Sequence, residues 1–252
     1  MVALPISGID VTLRRPAGEE DVLLCEAPRR DMRLTVALLS RLAEGSGLRC
    51  DALPVGDVEF LLLELRRLMF GDMIRSDTTC PGPECGAKVD VEFRIGDYVA
   101  HHTPGSSPDI QPSGEEGWMS LRGAPVTFRV PVAADQIAVS GRSDAKETMI
   151  ARCVRPTETP ARLLGRVSRA LQRVAPSLAD LVQGVCPECG AEIDVYFDPQ
   201  SFTLAELRQE ALFIYDEIHL LASHYRWSES EILALPSARR VRYAELIREG
   251  GN

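Results

Sequence analysis

Several features are missing from this sequence of 252 residues, and each absence excludes a class of protein. No stretch approaches the roughly 18 to 20 uninterrupted apolar residues that a membrane-spanning helix needs. Met1 to Asp10 offers no basic run followed by an apolar one, so no secretory signal is expected and a cytoplasmic location is the default reading. Positive charge is in short supply. The formal net charge is −9, a field that repels nucleic acid and anionic membrane surfaces at long range. Phosphate-cradling glycine loops, Gly-x-Ser-x-Gly elbows and His-Glu-x-x-His pairs are all absent, and no nucleophile with a partner base stands out. No catalytic residue, organic cofactor or small-molecule substrate is therefore expected.

What is present is an ordinary globular balance, 45% hydrophobic and 26% charged, in a chain long enough to bury a core without disulfides. The seven cysteines are an odd number, which argues against a disulfide framework. Cys25, Cys50 and Cys153 stand alone and read as small buried hydrophobes. The other four sit in two similar segments. One runs Cys80-Pro81-Gly82-Pro83-Glu84-Cys85-Gly86-Ala87-Lys88-Val89-Asp90-Val91-Glu92-Phe93, the other Cys186-Pro187-Glu188-Cys189-Gly190-Ala191-Glu192-Ile193-Asp194-Val195-Tyr196-Phe197.

Each segment has the make-up of a zinc knuckle. Two thiolates must converge from a tight turn, proline stiffens it, and glycine after the second cysteine permits a positive φ. Zinc prefers four ligands in a tetrahedron at about 2.3 Å from sulfur. Two knuckles therefore make one four-thiolate site from Cys80, Cys85, Cys186 and Cys189. A redox pair would sit at a helix N-terminus, whereas each pair here precedes a strand pattern. A catalytic zinc would keep an open position, whereas four thiolates close the shell. The reading predicts that Val89 to Phe93 lies near Ile193 to Phe197, with the residues between Cys85 and Cys186 folded back as an insertion.

Around the knuckles the pattern predicts an α+β fold: zinc-ribbon-like paired knuckles with short strands, flanked by helices, and a helical C-terminus. Residues 1–100 form an N-terminal α+β part with the first knuckle. Residues 101–120 are a linker or long loop rich in Pro, Gly, Ser and acids. Residues 121–200 form a middle α+β part with the second knuckle, and residues 201–252 are helical. Met1 to Ala27, including Val22-Leu23-Leu24-Cys25, reads as strands or an extended arm. Asp31 to Glu44 reads as a helix stopped by Gly45-Ser46-Gly47. Val55 to Phe70 reads as a helix with Asp57 as cap, apolar on more than one face and ended by Gly71. Ser143 to Val154 and Thr159 to Val174 read as helices, and Val126 to Val130 as a strand. Leu204 to Tyr225 reads as one long helix. A capping box of Ser228 with Glu231 starts a short one, and Pro236 begins the last.

Two further groups of residues bear on function. His219 and His224 share a helix with Asp216 and Glu217, but at a spacing that does not converge on a metal. His101 and His102 read as exposed. Arg239, Arg240, Arg242 and Arg248 form a basic cluster that could grip a phosphate backbone or, better suited to an acidic chain, an acidic protein. Phe213, Tyr215, Tyr225, Trp227 and Tyr243 gather five aromatics near those arginines, although the chain is only 6% aromatic. Such residues dominate interfaces, or else cement helices onto a core.

Three stretches carry a family resemblance. They are Phe60-Leu61-Leu62-Leu63-Glu64-Leu65-Arg66-Arg67 with Phe70-Gly71-Asp72; Phe128-Arg129-Val130-Pro131 with Asp135 and Arg152-Cys153-Val154; and Asp216-Glu217-Ile218-His219-Leu220-Leu221-Ala222 with Tyr225-Arg226-Trp227-Ser228, Ile232 to Pro236 and Arg239-Arg240-x-Arg242-Tyr243. With them the chain resembles the baseplate-protein family of contractile-tailed phages and phage-derived contractile injection systems. Residues 1–50 carry none of the likeness. The resemblance implies a non-enzymatic baseplate component or assembly factor that binds other baseplate or tail proteins, cytoplasmic or built into a phage-tail-like particle. The competing readings are a zinc-ribbon nucleic-acid adaptor using the C-terminal arginines and a metal-dependent hydrolase using His219, Asp216 and Glu217.

Overall fold

The computed structural model describes residues 1–45 and 47–250, so Ser46 in the expected Gly45-Ser46-Gly47 stop lies outside the described residues. The chain divides into two compact units. One takes residues 11–48 and the chain from 200 onward, together with Met1; the other takes residues 2–10 and 49–199.

The first unit is helical. Its helices are Gly18–Glu26, Met32–Leu42, Pro199–Ala211, Ile214–Tyr225, Glu229–Leu233 and Ser237–Gly250. Thr12 and Leu13 add a short antiparallel pairing with Glu44 and Ala43. The Val22 to Cys25 stretch, expected as extended, is helical. Glu19, Glu20 and Asp21 crowd its first turn, and the Glu20 carboxylate accepts from the Ala17 N–H at 2.8 Å. Acids at that end favour a helix over a strand. Leu204 to Tyr225 is two helices rather than one, with a turn at Leu212 and Phe213. The apolar periodicity runs through the turn because Leu204, Leu207 and Ala211 are buried before it, and Ile214 and Leu221 after it. No Gly or Pro marks the break. The capping box stands where it was read, with Ser228 Oγ accepting from the Glu231 N–H and Glu231 from the Ser228 N–H.

The second unit is mixed. Its longest helix, Val55–Phe70, buries Val58, Leu61, Leu62, Leu63 and Leu65 completely, which explains the apolar residues on more than one face. Gly71 ends it at φ 86°. Asp57 is not its cap. The buried Asp57 carboxylate accepts from the Ile6 and Ser7 N–H groups at 2.8 and 2.9 Å, pinning the start of the chain. A four-stranded antiparallel sheet runs in the order Ile110–Pro112, Met119–Leu121, Thr127–Phe128, Val154–Arg155. Its first strand and the first two residues of its second fall inside the 101–120 stretch expected as a linker. Both strands are three residues each and too short for an alternation to show. The helix Ala161–Val174 covers this sheet through Val167 and Ala170, packed with Leu121, Val126, Phe128 and Val154.

The unit also contains the helices Ile95–His101, Ala133–Val139 and Ala145–Cys153 and two β-hairpins. Met73–Thr79 pairs with Lys88–Arg94, and Asp180–Val185 pairs with Glu192–Phe197. The second strand of each was legible in the sequence. The first was not, because Met73–Thr79 buries only Ile74 and Asp180–Val185 buries nothing. The pairing of such strands comes from their partners rather than from a pattern of their own.

Candidate metal centre

Each hairpin carries its cysteine pair in the turn. The Cys80 N–H donates to the Ala87 carbonyl at 2.8 Å, and the Cys186 N–H to the Ala191 carbonyl at 2.9 Å, closing two equivalent loops. Gly86 and Gly190 take φ values of 58° and 74°, the left-handed region that glycine enters without steric cost. Gly82 lies in the longer first turn. A Cβ there would stand 3.3 Å from Cys189 Sγ and 3.4 Å from Cys80 Sγ, so the backbone approaches the sulfurs where a side chain would crowd them.

The two turns bring all four sulfurs together. Cys80 Sγ lies 3.5 Å from Cys189 Sγ and Cys85 Sγ lies 3.9 Å from Cys186 Sγ, and the four atoms lie within 4.8 Å of one another. Four sulfurs at about 2.3 Å from a shared ion would stand about 3.8 Å apart, so the spacing fits one tetrahedrally held metal ion. Cys80 and Cys186 are buried, Cys85 is half-buried and Cys189 is exposed. The Gly82 N–H points at Cys80 Sγ at 3.4 Å. Hydrogen bonds from the Cys189 and Glu188 backbone hold the Cys186 thiol down to about 7, whereas, against the Gly82 N–H, burial and the neighbouring thiols push Cys80 up to about 12; the four would ionise together only around a shared cation.

The hairpins also meet away from the sulfurs. Val89 and Ile193 pack with Cys80 and Cys186. Beyond them the Phe93 and Phe197 rings meet edge to face at 5.1 Å, and Tyr98 lies 5.2 Å from each. Tyr98 Oη donates to the Leu178 carbonyl at 2.6 Å. The pair of ribbons is thus joined at its tips by cysteine and at its base by aromatic rings. His102, expected to be exposed, packs on Tyr98 with ring centroids 4.4 Å apart and approaches Asp180 at 3.3 Å.

The remaining candidates do not converge. Among the described residues the four cysteines are the cluster able to hold a metal ion. Cys50 and Cys153 are buried and Cys25 half-buried; burial pushes the Cys153 thiol up to about 11. His219, His224 and Asp216 are exposed, while Glu217 is buried and ion-paired to Arg240 at 2.5 Å. Arg240 was expected in an exposed basic cluster. It is instead 3% exposed and binds Asp21 as well as Glu217. Arg242 is occupied by Glu245 and Glu249 at 3.1 and 3.5 Å. Two arginines on different faces of this helix are thus engaged by intramolecular carboxylates, which periodicity alone could not foretell. Of the five aromatics, Phe213 and Tyr215 are exposed, while Tyr225, Trp227 and Tyr243 pack on one another at 4.8 to 6.0 Å.

The family described as T4 bacteriophage base plate protein matches residues 2–161. The chain belongs to that family. Its match takes in residues 2–50, where the sequence reading found no likeness, and stops before the stretch from Asp216 to Tyr243 on which part of that reading rested. Membership supports a structural role in a phage baseplate, in contact with other baseplate or tail proteins, and points away from catalysis. No curated protein and no solved structure matches. No helix among the described residues is long and apolar enough to cross a membrane. Within the matched region, Arg129 grips the buried Asp135 at 2.6 and 2.8 Å and Arg152 reaches the same carboxylate at 2.6 Å. The Arg129, Asp135 and Arg152 of the sequence resemblance are therefore a structural lock in this chain.

Proposed function

We propose that this chain is a non-enzymatic structural or assembly protein of a contractile phage tail or injection-system baseplate, stabilised by one zinc ion on Cys80, Cys85, Cys186 and Cys189. Family membership carries the baseplate role. The four convergent sulfurs carry the metal assignment. Zinc is the choice for a closed four-thiolate shell, since it has no redox chemistry of its own and takes a tetrahedron without strain. Bound there, it would supply cross-linking rather than catalysis, because no coordination position is left for a substrate. The residues around it do the rest: the glycines shape the turns, and Val89 and Ile193 keep water from the inner side of the cluster.

Two measurements test the reading. Elemental analysis of the purified chain should find one zinc per molecule, lost on replacing Cys186 by Ser. Electron microscopy of particles made without this chain should show tails with absent or incomplete baseplates. Normal baseplates would overturn the structural role, and a metal-free chain with full stability would overturn the zinc. The nucleic-acid reading loses its main support, because Arg240 and Arg242 are engaged within the chain.

A further inference from the structure

The two ribbons are repeats of one another, so each serves as a control for the other. In register, Arg75 faces Glu92, Asp77 faces Asp90 and Thr79 faces Lys88 on the outer side of the first ribbon. Arg75 and Glu92 form an ion pair at 2.9 Å, and Lys88 and Asp77 another at 2.8 Å. That face is built of polar and charged side chains. The equivalent cross-strand positions of the second ribbon are Leu181 facing Tyr196, Gln183 facing Asp194 and Val185 facing Glu192. An ion pair in one ribbon is thus an apolar pair in the other. Directly opposed residues share a face, and this one leaves Leu181, Tyr196 and Val185 exposed at 51%, 65% and 66%. The buried Ile193 and Phe197 lie on the opposite face and account for the ribbon's own packing. The outer apolar residues are not needed for it, as the first ribbon demonstrates.

Two more observations describe what would cover this face. Asp180–Val185 belongs to a two-stranded sheet and, among the described residues, pairs with Glu192–Phe197 alone. A Cβ at Gly184 would meet nothing within 4 Å, so another backbone could come close along that strand. The charge is one-sided as well. From Ala175 to Leu207 the chain has no Lys or Arg, while Asp180, Glu188, Glu192 and Asp194 border the apolar strip. The first ribbon mixes both signs.

We propose that the outer face of the second ribbon, Leu181, Val185 and Tyr196 with its acidic border, is a docking surface for an extended, basic segment of a partner protein. The segment adds as a third strand along Asp180–Val185. On the outer face its side chains alternate between apolar ones, beside Leu181 and Val185, and Lys or Arg between them, beside Gln183 and directed toward Asp194. The inference deepens the baseplate reading by naming the chemistry of one partner, and its failure would leave the zinc assignment standing.

The test uses the full chain and a labelled acetyl-(Val-Thr-Lys-Thr)2-amide peptide, which as a strand presents Val and Lys on one face, followed by fluorescence anisotropy and by amide shifts at Leu181, Gly184 and Val185. The competing variant is Leu181→Arg with Tyr196→Glu, which installs the ion pair that the first ribbon already holds; Val185→Thr, the first ribbon's own residue, is a second. Both should keep the circular dichroism and metal content of the wild type. Expected is binding to the wild type, weakened at least about tenfold in the double variant, with no binding of acetyl-(Val-Thr-Glu-Thr)2-amide. Equal binding by the double variant, binding of the acidic peptide, or no binding by the wild type overturns the proposal. Sedimentation that shows the wild type dimerising through this face, with the double variant monomeric, would make a second copy the occupant and overturn it too.

Discussion

Replacing Arg240 by Met tests the interior of the helical unit. Arg240 joins three helices: it lies on Ser237–Gly250, its Nε donates to Glu217 on Ile214–Tyr225 at 2.5 Å, and its Nη2 donates to Asp21 on Gly18–Glu26. Ser237 Oγ adds a bond to Asp21 at 3.1 Å. Met keeps the length of the stem but leaves two buried carboxylates without a cation. At about 4 Å and an effective dielectric constant of about 20, each lost attraction is about 4 kcal/mol before solvation is counted. Losing one partner of a buried pair costs about 3 to 5 kcal/mol net. With a urea m value of about 2 kcal/mol/M, the unfolding midpoint should fall by about 2 M. Arg239 is exposed on the same helix, and Arg239→Met should change stability by no more than about 0.5 kcal/mol. Adding Asp21→Asn and Glu217→Gln to Arg240→Met should recover much of the loss, since the cost lies in unpaired charge rather than packing. Urea denaturation followed by circular dichroism reads all four proteins. Equal midpoints for the Arg240 and Arg239 variants, or no recovery in the triple variant, would refute the reasoning. The same contacts imply that truncation at Pro236 unfolds this unit rather than simply removing a docking surface.

Cys186→Ser should release the metal and lower the melting temperature while leaving the secondary structure largely in place, because the rings of Phe93, Tyr98 and Phe197 still join the ribbons; hydrogen exchange should quicken at the tips, near Cys80 and Cys186, more than at the base. Glu59 is buried, and that burial lifts its carboxyl from 4.5 to about 7 against the bonds from the Leu178 N–H and Ser177 Oγ. The folded state then holds a proton that the unfolded state releases, so stability should fall by about 3 kcal/mol as pH rises from 4.5 to 7 and level off above; Glu59→Gln should flatten that slope, and an unchanged slope would show another group at work. Although burial would raise the Asp135 carboxyl, bonds from Arg129, the Val132 N–H and Arg152 hold it down to about 2. Its contribution should persist at neutral pH and be lost as pH falls from 3.8 through about 2. Asp135→Asn should cost about 3 to 5 kcal/mol by leaving two arginines facing an amide, measured by thermal or chemical unfolding.

The cysteine repeat was legible because its information is local. Thiol spacing, the proline in the turn and the glycine that must take a positive φ all lie within a few residues, and strand alternation after each pair shows which face turns inward. The helices at Val55 and Ala161 could be read for the same reason, since 3.6-residue periodicity survives whatever packs against it. The strands Met73–Thr79 and Asp180–Val185 were not legible, because strands that bury almost nothing borrow their conformation from a partner. Asp57 and Arg240 were misread for a related reason. Each sits at a position where a cap or a solvated base is the ordinary expectation, and each is buried by segments far away in sequence: Ile6 and Ser7 for Asp57, Asp21 for Arg240. The sequence by itself determined which four cysteines come together and the turns that present them. Only the tertiary structure decided which charges are spent inside the chain and which surface remains free, because burial of an ionised group depends on a partner that chain order does not name.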